Sequence, residues 1–67
     1  MITSRQANQA IKHGKPIRIQ ELDWLGGTTY TVRVTGRPEG RETRWYILVQ
    51  QTNGNIAEID RANFDII

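Results

Sequence analysis

The strongest constraint on this chain is the run WYILVQQTNGNIAEI, Trp45 to Ile59, in which two β-prone stretches flank Asn53-Gly54. A two-residue type I′ turn needs positive φ at both central positions, and Asn-Gly meets that need better than almost any other pair. The run therefore predicts a β-hairpin. With Asn53 and Gly54 as the loop, Thr52 should face Asn55, Gln50 should face Ala57, and Leu48 should face Ile59. One face then presents Tyr46, Leu48, Ala57 and Ile59. The other presents Trp45, Ile47, Val49 and Ile56, with Glu58 beside them. An antiparallel strand with one wet face does not read as apolar on both sides. Both faces should be covered, one by a small sheet core and the other by a helix or a partner.

Residues 3–13 supply the helix. Thr3 is placed to cap it and Gln6 stands three positions on, a capping box. Ile2 and Ala7 occupy the positions of a hydrophobic staple. Gly14 suits the left-handed residue that ends a helix, and Pro16 blocks continuation. Ala7, Ala10 and Ile11 form a small apolar face, so the helix must dock closely to be stable.

After Pro16 the period changes to two. Strands are predicted over residues 16–22, 28–35, 45–52, 55–59 and 64–67, with a turn at Asp23 to Gly27 and a polar loop over residues 36–44. Residues 60–63 read as a short turn, in 3₁₀ form. The fold class is α+β, mainly β: one short amino-terminal helix packed on a small five-stranded antiparallel sheet or barrel. Sixty-seven residues make a single domain, 1–67. A chain of this size buries only about 60% of its unfolded surface, so its stability should be modest.

The alternation at Tyr30 to Val34, the Trp45 to Ile59 hairpin and the IDRANF turn into Phe64 to Ile67 resemble an SH3-like small β-barrel, over roughly residues 16–67. The opening, a short helix followed by GKP and an apolar strand, resembles that of small phage and prophage proteins. Such superfolds host unrelated functions. The acidic and aromatic clusters of a polyproline-binding groove are missing, so no functional residue is carried over. A phage- or bacteria-type accessory or inhibitor protein that acts by occupying a partner's surface is the expectation.

Charge is distributed unevenly within a net +2. Residues 1–20 carry Arg5, Lys12, Lys15 and Arg18 with no acid, whereas residues 45–67 carry Arg61 against Glu58, Asp60 and Asp65. A mild basic pole permits contact with nucleic acid or a membrane surface without requiring it. The chain has no cysteine, which fits a reducing compartment and a cytoplasmic location. No apolar run is long enough for a membrane span, and no signal peptide is visible.

No catalytic constellation emerges. His13, the single histidine, stands at the end of the predicted helix, where a cation opposes the dipole. Glu21 with Asp23, and Glu58 with Asp60, are paired carboxylates of the kind used in acid–base work or cation binding. They lack a D-x-D-x-D-G pattern and border strands, where acids are ordinarily solvated. Gly26-Gly27 is not followed by Lys-Ser or Lys-Thr and reads as a loop. We therefore expect no enzyme, no cofactor and no metal.

The leading expectation is a small non-enzymatic protein-interaction module, monomer or homodimer, with no membrane association. Trp24, the edge strand and loop 36–44 would make the contact. Trp45 and Tyr46 are adjacent in a predicted strand, so one of them lies outside the main core. The alternative is nucleic-acid binding, with Arg33, Arg37, Arg41 and Arg44 gripping phosphates while Tyr46 or Trp24 stacks a base. Glu39 and Glu42 interleave that loop and favour local ion pairs instead.

Overall fold

The helix forms between its expected caps. In the computed structural model, which describes residues 1–40 and 43–67, α1 spans Ser4–His13. Thr3 Oγ1 accepts from the Gln6 N–H at 3.1 Å, and Gln6 Oε1 accepts from the Thr3 N–H at 2.9 Å. Each bond satisfies an amide that the first helical turn leaves without a partner. Gly14 ends the helix at φ 65°, its N–H donating to the Ala10 carbonyl at 3.0 Å. Ile2 and Ala7, on either side of the cap, are both fully buried.

Five strands follow: β1 (Ile17–Glu21), β2 (Thr29–Gly36), β3 (Tyr46–Gln51), β4 (Ile56–Asp60) and β5 (Phe64–Ile66). All pairings are antiparallel, in the order β4-β3-β2-β1-β5. Among the described residues, three 3₁₀ turns, Asp23–Leu25, Thr43–Trp45 and Arg61–Asn63, lie between strands. β4 and β5 are the two edges, and no ladder between them closes the sheet among the described residues. Among the described residues, no helix is long and apolar enough to cross a membrane.

The hairpin has a different register from the one that Asn-Gly predicts. Gln50 pairs with Ile56, Leu48 with Glu58 and Ile47 with Ile59. The Gln51 N–H donates to the Asn55 carbonyl at 2.8 Å, leaving Thr52, Asn53 and Gly54 as a three-residue loop. Gly54 has φ 89°, and among the described residues none other than glycine has positive φ. Asn53 is therefore not in the type I′ conformation. Instead its Oδ1 accepts from the Asn55 N–H at 3.0 Å. A slip of one residue exchanges the faces of β4. Ala57 and Ile59 now share a face with Ile47 and Val49, and Glu58 points away. The expected register would have set Glu58 beside Ile47 and Val49, and a buried unpaired carboxylate costs several kcal/mol, on the order of more than any turn preference.

The helix and the sheet core also lie on one face, not on two. Ile2, Ala7 and Ala10 join Ile19, Val32, Val34, Ile47 and Val49 in a single buried cluster. Of the two covers expected for the second side of β3, a helix or a partner, the helix is therefore not the one. That side, Tyr46, Leu48 and Gln50, is half-buried without it. Thr35 is an extra residue in β2, between the Val34–Val49 and Gly36–Leu48 pairs, and its hydroxyl donates to the Leu48 carbonyl at 3.3 Å. β3 begins at Tyr46, so Trp45 belongs to the 3₁₀ turn and not to the strand.

Candidate protein-interaction surface

The β1–β2 connection, LDWLGG, is built to hold a tryptophan in water. The Leu25 N–H donates to the Leu22 carbonyl at 2.9 Å, the Gly26 N–H to the Asp23 carbonyl at 3.0 Å and the Gly27 N–H to the Leu22 carbonyl at 3.3 Å. Gly26 and Gly27 have φ of 116° and 68°, a conformation that side-chain-bearing residues adopt only under strain. The Leu22 N–H donates to the Asn63 carbonyl at 3.0 Å and so ties this turn to the one before β5. Gln20 Nε2 donates to the Gly27 carbonyl, and Glu21 Oε1 accepts from the Thr28 N–H. On this braced turn Trp24 is 73% exposed, with Leu25 exposed beside it. A pre-ordered turn loses little backbone freedom on binding, and tryptophan is enriched at interface hot spots.

An apolar groove opens at the same end of the sheet. It is a concavity of about 210 Å³ on the core face, lined by Ile19, Tyr30, Val49, Ala57, Ile59 and Phe64 among others. Register explains the assembly. Ile19 pairs with both Tyr30 and Ile66, and Phe64 pairs with Glu21, so the groove-facing positions of β1, β2 and β5 stand side by side. The rings of Tyr30 and Phe64 meet edge to face with centroids 6.3 Å apart. Tyr30 nevertheless remains 40% exposed.

Of the six residues expected to contact a partner, the five that the structure describes do not converge. β2 has eight residues, so its ends lie roughly 23 Å apart at ~3.3 Å per step. Trp24 is beyond one end; Arg37, Arg44 and Tyr46 are at the other. Arg37 Nη2 donates to Asn8 Oδ1 at 2.9 Å and to Ser4 Oγ at 3.3 Å, which ties the residue after β2 to α1. The Arg44 guanidinium lies 5.2 Å from the Trp45 ring centre. Arg33 is exposed on the outer face of β2, opposite Gln50. Arg41 lies outside the described residues. Tyr46 is half-buried opposite Asp60, and Trp45 is the more exposed of the two neighbours.

Of the remaining candidates, Glu21 and Asp60 accept from nearby backbone N–H groups and His13 faces solvent. His13 is exposed in the last turn of α1. Asp60 Oδ1 accepts from the Ala62 N–H at 2.9 Å and caps the third 3₁₀ turn. Among the described residues, no three His, Cys, Asp or Glu side chains gather where they could hold a metal ion.

Arg61 is the residue that sequence reasoning passed over. It is only 6% exposed. Its Nη1 donates to the Ile2 carbonyl at 2.9 Å, its Nε donates to the Arg44 carbonyl at 2.8 Å, and its Nη2 reaches the same Arg44 oxygen. Its guanidinium also lies 5.8 Å from the Trp45 ring centre. No local pattern signals this, because its acceptors are carbonyls 59 and 17 residues away. The groove was missed for a related reason: it exists only in the register that puts Ala57 and Ile59 on the core face.

The chain matches no family model, no curated protein and no solved structure in the comparisons made.

Proposed function

We propose that the chain is a small protein-interaction module that engages its partner through the Trp24 turn and the neighbouring Tyr30–Phe64 groove. The observation that supports this most is Trp24 itself, 73% exposed on a turn braced by backbone hydrogen bonds at both flanks. Fully burying a large apolar side chain is worth about 1.5–3 kcal/mol, and a folded chain that leaves one in water keeps that gain for association. The contact keeps Trp24 from the surface anticipated from sequence and drops loop 36–44, since Arg37 and Arg44 are engaged within the molecule. Affinity capture with the intact chain and with Trp24→Ala tests the reading. A partner retained by the former and lost by the latter supports it; a partner set unchanged by the substitution defeats it.

One observation favours nucleic-acid binding as a second reading. Arg18 and Arg33 are exposed on the outer face of the sheet, and Arg18 pairs with Thr31, two residues from Arg33. Such diagonal neighbours stand about 7–8 Å apart, close enough to share a phosphate backbone. Fluorescence anisotropy with short single- and double-stranded probes decides it. Binding that falls steeply with salt and on Arg33→Ala supports this reading, and no binding at low salt removes it.

A further inference from the structure

The groove beside Tyr30 and Phe64 borders a free backbone edge. β4 is the outermost strand and pairs with β3 on one side only. Its outward N–H and C=O groups are a template for another extended chain. Alternation assigns its side chains to two environments. Ala57 and Ile59 line the groove. Ile56, Glu58 and Asp60 lie on the other face, where Ile56 is 54% exposed and Glu58 is exposed.

Charge decides what chain fits. The acids on β4 and β5 are Glu58, Asp60 and Asp65, and the single cation between them, Arg61, is buried and spent on carbonyls. The ion pair among the described residues joins the Met1 amine to Asp65, leaving the β4 acids without one. A second copy pairing β4 to β4 antiparallel about Glu58 would set like charges opposite each other, which is destabilising. A strand bearing cations meets the opposite.

We infer that the β4 edge accepts an extended segment of a partner protein in which apolar residues alternate with lysine or arginine. The apolar set enters the groove beside Ala57 and Ile59. The basic set lies over Glu58 and Asp60 on the outer face. The inference rests on the interaction reading above and names the chemistry of the partner at that site.

Random dodecamers displayed on phage and selected on the intact chain provide the test. Selected peptides are expected to alternate apolar with basic residues. A synthetic peptide carrying the consensus is expected to shift the amide signals of β4 and to lose about fivefold or more in affinity on Glu58→Lys, with unchanged circular dichroism. The same peptide with glutamate in place of lysine is expected to bind the Glu58→Lys variant better than the parent chain. No enriched peptide, a consensus without alternation, or indifference to the charge swap overturns the inference. So does a concentration-dependent homodimer that protects β4 from amide exchange, which would make the occupant a second copy. These outcomes are separable from failure of the broader reading, which stands or falls on Trp24→Ala capture of a folded partner.

Discussion

Arg61 donates from Nη1 to the carbonyl of Ile2 at 2.9 Å, so a buried guanidinium joins the amino-terminal segment to the turn before the last strand. The Ile2 N–H answers by donating to the Arg61 carbonyl at 2.9 Å. With the two bonds to the Arg44 carbonyl, one side chain holds together the helix entrance, the start of β3 and the link between β4 and β5. The sheet edges β4 and β5 are kept in place there without pairing to each other.

Arg61→Ala leaves the Ile2 carbonyl without its donor in a buried site and the Arg44 carbonyl without its donors in a part-buried one. Each such loss costs about 1–3 kcal/mol, so urea denaturation should report a loss of roughly 3 kcal/mol. Domains of this length hold roughly 3–10 kcal/mol in total. Arg61→Lys should recover only part of the loss, because an ammonium lacks the planar fork that reaches both carbonyls. Equal midpoints for Arg61→Ala and the parent chain would contradict the staple.

The hairpin register is open to a turn-specific test. Gly54 has φ 89° and open space around its Cα, so Gly54→Ala meets no clash and carries only the backbone cost. That cost is about 1–2 kcal/mol. Asn53 has no positive φ, so Asn53→Ala should cost less than Gly54→Ala, confined to the Asn55 contact. A type I′ turn would make both substitutions costly. Paired thermal melts separate the two geometries.

The two sides of β3 should differ in the same way. Ile47 is fully buried and Leu48 half-buried. Ile47→Ala should therefore destabilise by about 2–5 kcal/mol, with Leu48→Ala clearly below it. Had both faces been sealed, the two losses would match, and denaturant midpoints would reveal it.

The helix cap offers a smaller, cleaner prediction. Thr3→Ala removes one half of the capping box and should cost about 1 kcal/mol, while Thr3→Ser should be nearly silent. Helical circular dichroism and the melting midpoint both report it.

Trp24→Ala should leave stability within about 0.5 kcal/mol, as expected for a solvent-exposed position. Partner capture should nevertheless be lost. A large fall in the melting midpoint would mean that the indole packs against the fold, and the contact surface would then have to be sought elsewhere.

Much of the architecture was legible because it rests on neighbours in the chain. Thr3, Gln6 and Gly14 satisfy backbone groups within four residues, so they mark the helix ends wherever it docks. The alternation of Tyr30, Val32 and Val34 against Thr31 and Arg33 survives in β2, with two valines buried and the arginine exposed. The candidate contact was less legible. Trp24 could be placed on a turn, but no spacing indicated that Arg37 would be taken up by Ser4 and Asn8, 33 and 29 residues away.

The sequence alone determined where the helix starts and stops, how many strands follow and which turns separate them, because caps, glycines and periodicity act over a few bonds. Tertiary structure decided the hairpin register, the burial of Arg61 and the groove beside Tyr30. In the register, the roughly 1–2 kcal/mol of a left-handed residue is outweighed by the several kcal/mol of keeping Glu58 out of the core. Arg61 and the groove depend on carbonyls and side chains that only the folded chain brings together.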